Sequence, residues 1–215
     1  MKVLIAAGGS IQDDFAVKYI KNKEYDCFIA ADSGMEFFYR VGIRPQYIVG
    51  DFDSAKPEVL SYFRMQDDIR FLEFQPEKDE TDTELALKVA ISLTPDEICV
   101  IGATGNRVDH VLGNIQLLCK PLAQNIPCAL VDETNRIRLV DKKLTMRKAD
   151  QFGHYISFLP LTTEAKGVTL RGFKYPLSDY CMTSDNSLGV SNEIAEVTAE
   201  VGVKKGILIM IESRD

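Results

Sequence analysis

The chain of 215 residues has no tryptophan and only 2 histidines. Neither His110 nor His154 has a second histidine or a cysteine at ligand spacing, which argues against a zinc site. The five cysteines, Cys27, Cys99, Cys119, Cys128 and Cys181, are odd in number and contain no C-x-x-C pair. They read as small apolar residues in a reducing compartment, not as a disulfide framework. No segment approaches the roughly 18 to 20 consecutive apolar residues of a membrane span, and Val3 to Ala7 is too short for a signal-peptide core. A cytoplasmic protein with no membrane partner is therefore expected. Positive charge is also scarce: 25 Lys and Arg stand against 32 Asp and Glu, a net charge of −7. Phosphate backbones find little attraction there, so nucleic acid is not an expected partner. The chain lacks a G-x-x-x-x-G-K-[ST] loop and a protein-kinase motif set, which excludes two routes to ATP, and without a G-x-S-x-G elbow or a Ser/His/Asp signature serine-hydrolase chemistry has no support.

What is present is an ordinary globular composition, 46% hydrophobic and 27% charged, arranged in two textures. Up to about residue 133, short apolar runs alternate with amphipathic stretches. The runs are Lys2 to Ala7, Asp26 to Ala31, Gln46 to Val49, Ile69 to Phe74, Glu97 to Ile101 and Pro127 to Val131. Continuous runs rich in Val, Ile and Phe suit strands buried on both faces of a parallel sheet. Between them, Val108, Val111, Leu112, Ile115, Leu118 and Cys119 recur at helical spacing as one apolar stripe. Thr81 and Glu84 form a capping box ahead of Leu85, Val89 and Leu93. The expected domain 1–133 is an open, mostly parallel Rossmann-like α/β sheet with helices on both faces.

From 134 to 215 period-two alternation takes over, in Ile137/Leu139, Leu144/Met146 across the Asp141-Lys142-Lys143 turn, Ile156/Phe158, Val168/Leu170 and Ile207/Ile209/Ile211. Seven punctuating Gly and Pro residues complete the pattern of a β-sandwich or barrel. Asn192 to Val201 is Ala- and Glu-rich, yet alternates, and is assigned as strand. His154 falls in an expected strand and reads as structural.

Polar residues gather where the α/β runs end. Gly8-Gly9-Ser10, Asp32-Ser33-Gly34, Gly50-Asp51-Phe52-Asp53-Ser54 and Gly102-Ala103-Thr104-Gly105 each follow a run, and the fourth run leads through Pro76 to Asp79-Glu80-Thr81-Asp82. In open α/β sheets ligands bind beyond the carboxyl ends of the strands. Glycines there admit phosphate to backbone N–H groups, although the same loops also serve as simple tight turns. Asp51 and Asp53 flank Phe52, so an extended backbone would point both to one side. Together with Asp32, Asp79 and Asp82 they concentrate like charge, which is destabilising unless protonated or metal-bound. An all-oxygen donor set suggests Mg²⁺. The bland alternatives are turn formation by Asp51 and Asp53, and helix capping by Asp79 and Asp82. Arg107 and Asp109 open the stripe helix at the same rim. They suit a phosphate grip and a hydroxyl-positioning group, or equally a solvated cation and a helix-dipole partner.

Gly50-Asp51-Phe52-Asp53-Ser54, Asp79-x-Thr81-Asp82, Gly102-x-x-Gly105-x-Arg107-x-Asp109 and Gly189-x-Ser191-Asn192-Glu193, with Asp32-Ser33-Gly34, resemble the thiamine pyrophosphokinase family in order and spacing. The resemblance spans nearly the whole chain. It implies an α/β nucleotide-binding catalytic domain followed by a β-sandwich for thiamine binding and dimerisation. It further implies a homodimer that transfers diphosphate from ATP to the thiamine hydroxyl, giving thiamine diphosphate and AMP. By motif, the metal and catalytic residues would be Asp51, Asp53 and Asp82 with Arg107 and Asp109. Nucleotide contacts would come from Gly8, Gly9, Asp32, Ser33, Gly34, Gly102, Thr104, Gly105 and Arg107. Asp79 and Thr81 would serve the substrate, and Ser191 and Asn192 would face thiamine across the subunit interface. Some relatives place a tryptophan near the Ser-Asn pair, where this chain offers Leu188. Two rival readings use the same residues. Asp51-x-Asp53 fits a haloacid-dehalogenase-type phosphohydrolase with Asp51 as nucleophile, although Ala55 stands where that family wants Thr or Val. A nucleotide-sensing binding module would bind ATP without consuming it.

Overall fold

The computed structural model describes residues 1–75, 77 and 79–215. Contacts divide the chain into two compact units, Met1–Glu133 and Thr134–Asp215. Among the described residues the first contains six parallel strands: β1 (Lys2–Ala6), β2 (Cys27–Ala31), β3 (Tyr47–Gly50), β4 (Arg70–Glu73), β5 (Glu97–Ile101) and β6 (Cys128–Val131). Their spatial order is β4-β3-β2-β1-β5-β6. The continuous apolar runs are the reason for this arrangement, since Val3 to Ala6, Ile29 to Ala31 and Ile98 to Ile101 are almost wholly excluded from solvent, as strands covered on both faces must be.

Among the described residues six α-helices connect and follow these strands: α1 (Asp13–Lys23), α2 (Met35–Val41), α3 (Pro57–Arg64), α4 (Asp82–Ser92), α5 (Val108–Leu117) and α6 (Cys119–Ala123). The path runs outward from β1 to β4 and then returns to β5 beside β1. With right-handed crossovers this reversal moves the helices from one face to the other and opens a crevice between β1 and β5. The Thr81 cap forms as expected, its Oγ1 accepting from the Glu84 backbone N–H at 3.2 Å. The Glu84 carboxylate turns instead to Lys120, at 3.1 Å. The apolar stripe of α5 is only half used. Ile115 and Leu118 are buried beside the polar Asn114, whereas Val108 and Leu112 are exposed.

The second unit is an antiparallel sandwich. One sheet pairs β7 (Asn135–Val140), β13 (Leu208–Ser213) and β9 (Tyr155–Pro160), with β13 central. The other runs β11 (Leu177–Thr183), β10 (Glu164–Arg171), β12 (Thr198–Gly202) and β8 (Leu144–Arg147). Alternate residues Ile156, Phe158, Leu208 and Met210 of the first sheet meet Val168, Leu170, Ala199 and Val201 of the second in one core, the period-two geometry of packed sheets. The Asp141-Lys142-Lys143 segment therefore passes between sheets instead of closing a hairpin. The strand assigned to Asn192 to Val201 begins only at Thr198, while Val197 is exposed. His154 precedes β9 and lies exposed beside Glu193, at 3.2 Å. Among the cysteines, Cys27 and Cys99 are buried but Cys181 is exposed, which corrects the reading of all five as apolar filler. Pro76 lies outside the described residues. No helix among the described residues is long and apolar enough to cross a membrane.

Candidate active site

A cavity of about 370 Å³ opens at the carboxyl ends of β1, β2 and β5. Its walls include Gly8, Gly9, Asp32, Ser54, Thr81, Asp82, Gly102, Gly105 and Arg107, residues from five loops far apart in sequence. The Gly9 N–H donates to the Gly102 carbonyl at 2.9 Å, so the loops after β1 and β5 touch backbone to backbone. A Cβ on Gly9 would lie 2.3 Å from that carbonyl oxygen; only glycine permits this approach.

The acidic groups converge by a route that an extended strand would not provide. Phe52 takes a left-handed backbone, φ 64°, so the Asp51-Phe52-Asp53 segment is a turn and not a continuation of β3. The Asp53 N–H donates to Asp51 Oδ1 at 3.2 Å, and the Ser54 hydroxyl donates to Asp53 Oδ1 at 2.8 Å. Gly50, at φ 153°, brings the end of β3 so close to Asp32 that an added Cβ would sit 3.1 Å from the Asp32 Cβ. Carboxylate oxygens of Asp32, Asp51 and Asp53 consequently lie within 4.8 Å of one another. Among the described residues the close triplet takes in Asp32, where the sequence placed Asp82. Asp82 stands at the first turn of α4 on the same cavity.

Asp32 is 7% exposed, and its Oδ1 has no hydrogen-bond partner. Burial pushes its carboxyl upward from the ordinary value, reinforced by the negative charges of Asp82, Asp51 and Asp53 and opposed by a hydrogen bond from the Ser33 backbone. A buried acceptor left open beside two further carboxylates is a destabilising arrangement in isolation. It becomes favourable when a cation completes it. Three oxygen donors without nitrogen or sulfur fit a hard divalent ion such as Mg²⁺.

The other expected residues divide. Thr104 Oγ1 is likewise buried without a partner, next to the Gly102–Gly105 wall. Arg107 and Asp109 pair with each other, Nη2 to Oδ2 at 2.6 Å and Nε to Oδ1 at 3.2 Å. The Arg107 guanidinium holds the Asp109 carboxyl down at about 2, which makes Asp109 a weak base. Both side chains are exposed. Ser33 and Gly34 line a smaller adjoining cavity of about 250 Å³ with Gly8 and Gly9. Asp79 is exposed, and Thr81 spends its hydroxyl on the α4 cap.

In the second unit Ser191 has φ 59° and is exposed, its N–H donating to the Ser157 hydroxyl at 3.0 Å. Asn192 is buried and directed inward. Its Oδ1 accepts from the Tyr175 N–H at 3.0 Å and its Nδ2 donates to the Tyr175 carbonyl at 2.8 Å.

Sequence reasoning missed Asn114, which lines the main cavity and donates to the Ala103 carbonyl at 2.9 Å. The available signal was a lone amide interrupting the apolar face of α5, seven residues after Arg107. His110, one turn before it, also lines the cavity.

Comparisons with known proteins agree across both units. Residues 18–130 match the family model of the thiamin pyrophosphokinase catalytic domain, and residues 141–208 match that of its vitamin B1 binding domain. The chain is 39% identical over 192 residues to the thiamine pyrophosphokinase of Bacillus subtilis (strain 168), covering 89% of each protein. A crystal structure of thiamine pyrophosphokinase from Bacillus subtilis superposes with a TM-score of 0.89 at 35% identity over 100% of both chains. That of Geobacillus thermodenitrificans gives 0.87 at 31% identity, covering 100% of this chain and 98% of the other. The yeast enzyme, at 17% identity and a TM-score of 0.82, shares the fold over 99% of this chain and 86% of its own.

Proposed function

The chain belongs to the thiamine pyrophosphokinase family, and from that premise we propose that this diphosphotransferase takes the β,γ-diphosphate of ATP, with Mg²⁺, and delivers it to the thiamine hydroxyl. The observation that carries the donor and metal reading is the convergence of Asp32, Asp51 and Asp53 around a buried, unpartnered oxygen at the strand switch point. Asp51 and Asp53, with Asp32 within 4.8 Å of both and Asp82 on the same cavity, would hold the ion. When bound, Mg²⁺ supplies charge neutralisation on the transferred phosphoryl oxygens.

The chain's own groups do the rest. Backbone N–H groups of Gly8 and of the Gly102–Gly105 loop, with the Thr104 hydroxyl, receive phosphate oxygens, while the Gly9 N–H stays on the Gly102 carbonyl and holds the two loops together. Arg107 lines the cavity, and while its Nε and Nη2 hold Asp109 the guanidinium keeps further N–H donors for phosphate. The thiamine hydroxyl oxygen forms a bond to the β-phosphorus as the bond from that phosphorus to the α,β-bridging oxygen breaks. AMP leaves with the bridging oxygen, and the hydroxyl proton passes to solvent. A loose transition state asks for orientation and charge compensation more than for a strong base, which accords with an Asp109 held at about 2. The acidic rim also favours a cationic thiazolium.

The reading includes a homodimer with thiamine bound at the subunit interface, to which Ser191 contributes directly and Asn192 through the Tyr175 backbone. It places the protein in the cytoplasm, with its cysteines as thiols. Product analysis tests the chemistry: incubation with ATP, Mg²⁺ and thiamine gives AMP equimolar with thiamine diphosphate. ADP or phosphate released without thiamine refutes diphosphate transfer, and a phosphoenzyme at Asp51 marks a phosphohydrolase. Asp51→Asn and Asp82→Asn each lower kcat by at least ~100-fold, the scale of a lost strong electrostatic contribution. Sedimentation at micromolar concentration gives a dimer, and a fully active monomer rules out a shared site.

A further inference from the structure

We propose that Arg64, at the end of α3 and outside the cavity, is a positioning residue for the two-aspartate turn, a role that rests on the metal reading above. Asp51 and Asp53 flank Phe52, so the rotation of Phe52 about the chain sets where both carboxylates point. The left-handed backbone of Phe52 is disfavoured for a residue with a bulky side chain. Something must therefore hold it, and the hold is visible. The Phe52 ring is buried and meets Phe71 of β4 edge to face, centroids 5.8 Å apart at 81°. The Arg64 guanidinium lies over both rings, 6.0 Å from the Phe52 centroid and 5.5 Å from that of Phe71.

Arg64 is tied in turn to β4. Its Nη2 donates to Glu73 Oε2 at 3.0 Å, and Glu73 stands opposite Gly50 in the β3–β4 register. The preceding turn of α3 is anchored by buried Val59 and Phe63. The clamp thus runs from the strand partner of Gly50, through Arg64, to the ring between the two aspartates. The broad guanidinium reaches both rings within cation–π distance while donating to a carboxylate; the compact ammonium of a lysine keeps the ion pair and only part of the ring contact.

Two effects of removing Arg64 have opposite signs. By charge alone, deleting a cation near an acidic cluster tightens cation binding. Loss of the clamp loosens the turn and weakens it, by about 10-fold if Arg64 acts as supporting groups around metal ligands commonly do. The experiment titrates the full-length protein with Mn²⁺ alone, reading free ion by electron paramagnetic resonance, and follows backbone hydrogen exchange of the same variants. Arg64→Ala is expected to weaken Mn²⁺ binding about 10-fold and to speed exchange of residues 51–54 at least tenfold, leaving β1 and β2 unchanged. Arg64→Lys should recover part of both, and Glu73→Gln should fall between wild type and Arg64→Ala. Unaltered or tighter Mn²⁺ binding by Arg64→Ala, or unaltered exchange at 51–54, overturns the proposal. Asp51→Asn separates the two readings: if it weakens Mn²⁺ binding and Arg64→Ala does not, the clamp alone is wrong; if Asp51→Asn binds Mn²⁺ normally, the metal reading falls and the clamp with it.

Discussion

Replacing Asp32 by Asn should make the metal-free protein more stable while disabling it. Asp32 carries its charge into a nearly closed position within 4.8 Å of the oxygens of Asp51 and Asp53. Two unit charges at about 4.8 Å repel by roughly 0.9 kcal/mol in bulk water and about 3.5 kcal/mol at an effective dielectric of 20. Asp53 is exposed and Asp51 only half-buried, so the lower limit is the better guide for each pair. Two such pairs give a relief of about 2 kcal/mol. Asparagine keeps the size of the side chain and an oxygen for the Ser33 N–H, and it tolerates the φ of 45° at this position better than most residues. For a chain of this length the gain corresponds to a rise in Tm of about 4 to 8 °C. The assay is thermal unfolding of both proteins with and without EDTA, Mg²⁺ and ATP. The advantage of Asp32→Asn should shrink or reverse with Mg²⁺ and ATP present, because wild type alone has the full donor set, and turnover should fall by at least ~100-fold. A metal-free Asp32→Asn protein no more stable than wild type would refute the reasoning, since the triplet would then carry no stored repulsion.

Three further outcomes follow from the structure. Glu212 is wholly buried in the second unit, accepting from Arg136 at 2.6 Å through each oxygen, from Arg138 at 2.9 Å and from the Phe152 N–H at 3.1 Å. Burial raises its pKa, but the Arg136 and Arg138 partners outweigh it and the net shift is downward; the pair's stabilisation is therefore present above the ordinary glutamate range and lost as pH falls through the lowered value. Glu212→Gln should cost about 3 kcal/mol at pH 7 in urea unfolding, the lower end for breaking a buried pair, with the two proteins converging towards pH 3. Asn114→Ala removes the bond to the Ala103 carbonyl and should raise the KM for ATP several-fold with a smaller change in kcat, measured by steady-state kinetics; an unchanged KM would separate Asn114 from the phosphate loop. Because Arg107 holds Asp109 at about 2, Asp109→Asn should leave the shape of the kcat profile unchanged above pH 4, and a lost acidic limb would make Asp109 the titrating base.

Strand positions in the first unit were legible because a parallel sheet covered on both faces demands unbroken apolar runs, and the chain supplies them from Val3 to Ala6 and from Ile98 to Ile101. The Thr81 cap was legible for the same kind of local reason, a hydroxyl three residues before an open N–H. Glycine and aspartate at the run ends marked the rim, since backbone proximity and charge each restrict which residue can stand there. Period two similarly announced the sandwich, although not that β7 and β8 enter different sheets, because a turn signal fixes a reversal and not a partner.

What only the tertiary structure decided is which of these groups meet. The expectation that Asp51 and Asp53 point one way along an extended strand missed the left-handed Phe52, whose ring packs against Phe71 and Arg64 from other elements. Asp32 joins them because Gly50 lets β3 close against the loop after β2. Arg107 and Asp109, two residues apart, neutralise each other, and Asn192 turns its amide to Tyr175, seventeen residues away. The sequence by itself determined the periodicities, the caps and the stock of charge at the rim, since each depends on spacing along the chain. Pairing among those charges depends on distances of a few ångströms between loops remote in sequence, and only the packed fold sets them.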